Sequence, residues 1–231
     1  MRRFLPFSCL FLALILPCRA GAAADPVSAA RLQESLKTLS QVIASPQTTI
    51  PAALLQKATA IVIIPNMVKA SFLVGARYGK GVLMARGEDG RWGNPVLVSL
   101  GGGSFGLQMG VQSTDLVLVF RRGRVLDMKT KGNVLLGADV SIVAGTLSLT
   151  MDENTGADLG TEIYSFSRSR GLNAGFALQG AHLRLDDAAT AGLYGKSSLT
   201  AQDVLAGKID TISTDVLRFR DGFSRLTGSA P

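Results

Sequence analysis

The chain has 231 residues, 47% of them hydrophobic and 18% charged, with a formal net charge of +7 at neutral pH. That is enough chain to bury a core of its own. The positive balance is too mild for a nucleic-acid-binding protein, in which a pronounced basic stripe is expected.

The N-terminus sets the expected compartment. Arg2 and Arg3 precede an apolar segment, Phe4 to Pro17, and then small residues from Gly21 to Ala24. This is the pattern of a signal peptide: a charged start, an apolar stretch too short to span a bilayer, and an A-x-A cleavage site. Cleavage after Ala24 predicts an exported, periplasmic chain of residues 25–231. Lipid anchoring at Cys18 is the lesser expectation, because Ile15-Leu16-Pro17 puts proline where a lipobox has a small residue. Losing Arg2, Arg3 and Arg19 lowers the charge from +7 to +4, and both cysteines, Cys9 and Cys18, leave as well. Disulfides, thiolate metal sites and cysteine nucleophiles are thereby excluded from the mature protein.

Glycine usage divides the mature chain. None occurs between Ala22 and Val74, whereas 11 of the 26 fall from Gly75 to Gly110. In the glycine-free part, Leu32, Leu36, Leu39 and Ile43 share one helical stripe. Asp25 is the expected N-cap, Pro26 the first helical residue and Pro46 the stop. A short second helix is expected from Pro51 to about Ala58. Ala60 to Ile64 then reads as a buried strand closed by Pro65.

Strands are expected over Phe72–Tyr78, Gly81–Arg86, Pro95–Leu100 and Asp115–Arg121. Leu116 to Phe120 is apolar on both faces and should be central in a sheet. Thr146 to Met151 alternates as a strand with one wet face, and Leu172, Ala174, Phe176 and Leu178 form another such face. The turn signals Asp89-Gly90 and Arg122-Gly123 suggest antiparallel neighbours. Helix returns at Ala188–Tyr194, at Ala201–Leu205 and in an amphipathic stretch with Ile212, Val216, Phe219, Phe223 and Leu226. The expected fold is α+β: a single domain with a strongly curved, mostly antiparallel, barrel-like sheet flanked by N-terminal and C-terminal helices.

Gly101, Gly102 and Gly103 need a physical reason. They either bend a strand or let another backbone come close, or they form a nest of backbone N–H groups for a phosphate or head group. Gly102-Gly103-Ser104-Phe105-Gly106 fits the G-x-S-x-G pattern of serine hydrolases, with His182 the only histidine. A nucleophile elbow needs a helix directly after its serine, and the glycine-interrupted sequence here leads into a strand instead. Gly195-Lys196-Ser197 resembles the end of a P-loop, but Thr190 stands where its first glycine belongs. Asp152/Glu153 and Asp186/Asp187 lack EF-hand spacing. No metal or other cofactor is indicated, and the chain does not read as an enzyme.

Charge is more informative. Arg121, Arg122, Arg124, Lys129 and Lys131 stand against Asp127 alone, a local surplus of four that equals the whole net charge of the mature chain. A basic hairpin edge attracts anionic lipid head groups; equally, Lys and Arg protect sheet edges from pairing. Arg168 and Arg170, just before Gly171, are the candidates for a second anion site.

These motifs occur in an order that resembles the SYLF domain family across roughly Ile50 to Gly207. It runs through Ala60–Pro65, Gly75, Gly79-Lys80-Gly81-Val82, Trp92 with Pro95, the Gly101–Gly110 cluster, and Asp115 before its apolar strand. It continues through Leu136–Asp139, Ala144-Gly145, Tyr164-Ser165, Ser169–Leu172, Tyr194-Gly195 and Val204–Gly207. Thr146-Leu147-Ser148 and Leu193-Tyr194-Gly195 depart from it, standing where the family often has Gly-Pro then Gly-Arg, and Tyr-Tyr-Gly. The resemblance implies membrane-lipid recognition, with phosphoinositides and actin as ligands of eukaryotic members. For an exported chain it implies an anionic phospholipid surface as partner, with envelope proteins the alternative. It also implies a membrane role for an N-terminal amphipathic helix. The matching stretch, Ser28 to Ala44, carries only Arg31, Glu34 and Lys37 as charges and no Trp or Phe. A core-facing helix suits that composition better than an interfacial one.

Overall fold

In the computed structural model the described residues are 25–46, 50–71, 74–87, 89–105, 110–121, 130–136, 142–144, 163–170, 178, 180–209 and 212–228. The expected strand at Thr146–Met151 and most of the face from Leu172 to Leu178 lie outside them.

The first helix, α1 (Pro26–Ile43), starts as its sequence dictates: the Asp25 carboxylate accepts from the Ser28 N–H at 3.1 Å, with Pro26 in the first turn. Its stripe buries Leu32, Leu39 and Val42. α2 (Ala52–Gln56) leads into β1 (Ala60–Ser71), which forms a hairpin with β2 (Val74–Ala85). β3 (Val96–Phe105), β4 (Gly110–Phe120), β5 (Asn133–Leu136), β6 (Ile142–Ala144), β7 (Ile163–Arg170) and β8 (Ala181–Leu185) come next. α3 (Asp187–Tyr194), α4 (Ala201–Leu205) and α5 (Thr214–Thr227) close the chain.

The eight strands form one sheet in the order β5-β8-β3-β2-β1-β4-β7-β6, curled into an open half-barrel. Every pairing is antiparallel except β6 with β7. The expected α+β fold with helices at both ends is the one observed. Leu116 to Phe120 is fully buried between β1 and β7, as a run apolar on both faces requires.

Two expectations about β1 and β2 are corrected. Pro65 does not end β1. The strand continues because Pro65 and Asn66 form a β-bulge: Ile64 pairs with Leu116 and Met67 with Thr114, leaving two residues opposite Asp115. Proline needs no ladder donor there, and Asn66 takes the left-handed conformation (φ 46°) that asparagine tolerates better than most residues. The two strands expected on either side of Gly79 are one strand, β2. Gly79 and Gly81 mark close approach to the bulge rather than a turn. A Cβ on Gly81 would lie 2.0 Å from the Ile63 carbonyl oxygen, and one on Gly79 would lie 2.5 Å from the Ile64 side chain.

Strand β3 likewise runs straight through Gly101–Gly103 rather than ending at Leu100. A Cβ on Gly102 would sit 2.9 Å from both the Ala181 Cα and the Gly180 carbonyl oxygen, so glycine admits β8 alongside. The strand β8 was not expected, although Ala181-His182-Leu183-Arg184-Leu185 alternates as a strand should.

Ala60, Ala85, Val96 and Phe120 share one end of the central strands, the base. At the base, α5 packs Phe223 edge-on against Trp92 with centroids 5.0 Å apart. The Trp92 indole N–H donates to the Thr227 hydroxyl at 3.1 Å. The Arg86 guanidinium lies 4.2 Å over the same ring and donates to the Ala58 and Gly90 carbonyls, and burial lowers its pKa. α1 crosses α5 where Gly222 leaves room for Leu36. The opposite end, where β1 runs to Ser71, β2 begins and β4 begins at Gly110, is the tip.

Candidate functional site

The residues singled out from the sequence separate onto different parts of the sheet. Arg121 follows the last residue of β4 at the base. Lys131 is exposed just before β5, whose Asn133 pairs with Arg184, near the same end. Arg122, Arg124 and Lys129 lie outside the described residues, as does the expected turn at Arg122-Gly123. β5 pairs with β8, not with β4, so the basic stretch links two separate parts of the sheet rather than joining described neighbours.

Arg168 is turned to a structural partner. Its guanidinium donates to the Asp115 carboxylate at 2.8 Å and to Gln41 of α1. The other Asp115 oxygen accepts the Asn66 backbone N–H at 3.0 Å, and the Asn66 side-chain amide donates to Glu34 of α1. Asp115 is 2% exposed, so a carboxylate this deep needs such partners. These links tie the polar side of α1 to the bulge and border a cleft of about 340 Å³ lined by Glu34, Lys37, Thr38, Gln41, Asn66 and Asp115. Arg170 stands opposite Ser113 in register, closer to the tip.

Gly101, Gly102 and Gly103 are paired with Tyr78, Arg77 and Ala76 of β2, and the first two also with His182 and Ala181 of β8. They form a side-chain-free stretch of sheet. The buried Arg77 donates across it to the Gly103 carbonyl oxygen at 2.9 Å, and its pKa is lowered by burial. Ser104 lies inside β3, not in a strand-to-helix turn, and β3 continues to Phe105. His182 pairs with Gly101, three positions from Ser104 and about 10 Å along the strand. The hydrolase geometry is not formed.

One surface was not among the sequence candidates. Val68, Tyr78 and Val111 are 46%, 54% and 78% exposed, and all belong to the tip. Val68 pairs with Tyr78, while Ala70, also exposed, pairs with both Ala76 and Val111. Paired residues share a face of the sheet, so the five form one apolar patch. Its signal was the absence of charge of one sign: no Asp or Glu occurs from residue 35 to 87 or from 91 to 114.

Comparison with known proteins identifies the lineage. The family model of Ysc84, described as a Las17-binding protein actin regulator, matches residues 101–219, just over half of the chain. The chain belongs to the Ysc84 family. This is the SYLF pattern met in the sequence, and the match runs from Gly101 within β3 through β4 to β8, α3 and α4 and ends at Phe219 within α5. SH3 domain-containing YSC84-like protein 1 of Xenopus laevis is 29% identical over 78% of this chain and 54% of its own length. The Bos taurus protein of that name is 32% identical over 71% of this chain and 48% of its own. LAS seventeen-binding protein 3 of Saccharomyces cerevisiae is 32% identical over 78% of this chain and 39% of its own length. The chain thus spans about half or less of the length of these relatives. No solved structure matches it. Among the described residues no cluster of metal-ligating side chains occurs, and no helix is long and apolar enough to cross a membrane.

Proposed function

We propose that this Ysc84-family protein is a non-enzymatic module that binds anionic phospholipid at a membrane surface, acting after export in the cell envelope. The observation that carries the reading is the basic stretch from Arg121 to Lys131, with five cations against one carboxylate. Each Lys or Arg held near an anionic surface contributes about 1 kcal/mol of attraction. A stretch of this charge between β4 and β5 supplies the non-specific part of head-group recognition. Arg168, committed to Asp115, is left out of that set.

Co-sedimentation of residues 25–231 with zwitterionic and with anionic vesicles tests the reading. Selective binding to anionic vesicles is expected, weaker at moderate than at low salt because surface charges are screened. At low salt, Arg121→Glu with Arg124→Glu is expected to lower affinity at least ten-fold. No binding to either vesicle overturns it.

A second reading, a protein-binding envelope module, is favoured by the names of the relatives, which carry Las17 binding and actin regulation. It predicts recovery of one specific envelope protein on the immobilised chain, with no preference among vesicles.

A further inference from the structure

The tip of the sheet carries a surface that the basic stretch does not account for. Val111, Tyr78 and Val68 stand in the open: Ala76, Ala70 and Val111 form a row across β2, β1 and β4, and Tyr78 and Val68 the adjoining row, which meets Ser113 on β4. The pleat places Gly101 and Gly103 of β3 beside Tyr78 and Ala76, extending the face without adding polar side chains. Elsewhere on this side of the sheet, α1 provides cover, meeting it at Asn66 and Arg168 through Glu34 and Gln41. Val68 is two residues past Asn66, so the patch begins where that cover stops. Isolated exposed apolar residues are ordinary; several contiguous ones on a sheet face mark a contact surface.

Charge selects the occupant. Lys80, exposed and two residues from Tyr78, shares the pleat face of the patch, and Lys37 is exposed on α1 beside the adjacent cleft. Lys69 lies within the same end of β1. The two carboxylates at the adjoining bulge are engaged: Glu34 accepts from Asn66, and Asp115 accepts from Arg168 and from the Asn66 N–H. The segments of chain that build the tip, residues 66–81 and 99–114, contain no acidic residue at all. An apolar face with cations around it and, among the described residues, only engaged carboxylates beside it complements an anionic bilayer, whose head groups meet the lysines while the acyl boundary takes the apolar side chains.

We propose that the β1–β2 and β3–β4 end of the sheet is the membrane-inserting surface of this protein, with Val111, Tyr78 and Val68 entering the interface of an anionic bilayer. This rests on the lipid-binding reading and goes beyond it by assigning the inserting residues. β4 spans 11 residues from Gly110 at the tip to Phe120 at the base, about 35 Å at the usual strand rise. Arg121, which follows Phe120, therefore lies several Debye lengths from the tip at physiological salt. The two ends respond separately to mutation: the basic stretch contributes at low salt, and insertion of the tip sustains binding when charges are screened.

The test uses protein purified after export and vesicles containing phosphatidylglycerol. At moderate salt, Tyr78→Glu with Val111→Glu is expected to weaken binding at least ten-fold. Arg121→Glu with Arg124→Glu is expected to change it less than three-fold under that condition. Val111→Trp gives a readout that needs no loss of function. Its fluorescence is expected to be quenched by brominated acyl chains in the vesicles, against a weakly responding Trp92 that is buried at the base. Wild-type binding that survives the glutamate pair, or a Val111→Trp signal unaffected by brominated lipid on bound protein, overturns the inserting tip and leaves lipid binding standing. Failure of the wild-type protein to bind overturns both.

Discussion

At the base of the sheet Trp92 is sealed between the Arg86 guanidinium and Phe223, with its one polar atom bonded to Thr227. At the tip, 78% of Val111 is in the open and Tyr78 is half exposed beside it. Both ends belong to the same sheet and both are rich in apolar residues, yet among the described residues it is the base that has α5 packed over it. Burial at the base contributes to folding; exposure at the tip contributes nothing to it. A fold that covers one end and leaves the other bare has separated stability from contact, and the two can be perturbed independently.

The largest effect on folding is expected at the base. Phe223→Ala removes a fully buried ring from its contacts with Trp92 and Phe219 and is expected to cost about 3–5 kcal/mol in urea denaturation. Vesicle affinity of the folded fraction should not change. Next comes the clamp between α1 and the bulge. Arg168→Met leaves the Asp115 carboxylate buried with its Asn66 hydrogen bond but without the charge of Arg168, and about 3 kcal/mol of stability is expected to be lost.

A smaller loss comes from the capping box of α4. The Thr200 hydroxyl caps the Asp203 N–H, and Asp203 accepts from Thr200 in return. Thr200→Ala is expected to cost about 1 kcal/mol. The Thr200 hydroxyl and backbone N–H, with Lys208, hold the Asp203 carboxyl below its usual range. Its stabilising contribution is therefore present above the ordinary carboxylate pKa and lost as pH falls through the lowered value. The wild-type advantage over Thr200→Ala should narrow in acid. Smallest of all on stability is Val111→Ser at the tip, expected within about 0.5 kcal/mol of wild type because the side chain is exposed. A large stability loss there would break the separation between the two ends.

Much of this fold was legible in the chain. The α1 stripe, its Asp25 cap, the buried Leu116–Phe120 strand and the C-terminal helices came from periodicity and capping chemistry alone. What misled was punctuation. Pro65 reads as a stop, and Gly79 and Gly81 read as breaks, because local sequence does not distinguish a turn from a close crossing; Gly101–Gly103 are open to either a bend or a close backbone approach, and Gly102 shows the approach. The Ile63 carbonyl that makes Gly81 necessary belongs to another strand.

The site was less legible for a related reason. Arg168 looked like a free cation because Asp115, its partner, is 53 residues away. The tip went unseen because Val68, Tyr78 and Val111 are ordinary strand residues until pairing sets them together and the helical cover stops short of them. The basic stretch from Arg121 to Lys131 was visible at once, since its meaning lies in composition rather than in contact.

The inserting tip is tested most directly by the dissociation constant for phosphatidylglycerol vesicles at moderate salt, wild type against Tyr78→Glu with Val111→Glu. A loss of ten-fold or more, with thermal stability unchanged, is the predicted result. Equal affinities for the two proteins would contradict it and return the membrane contact to other residues, the basic stretch first among them.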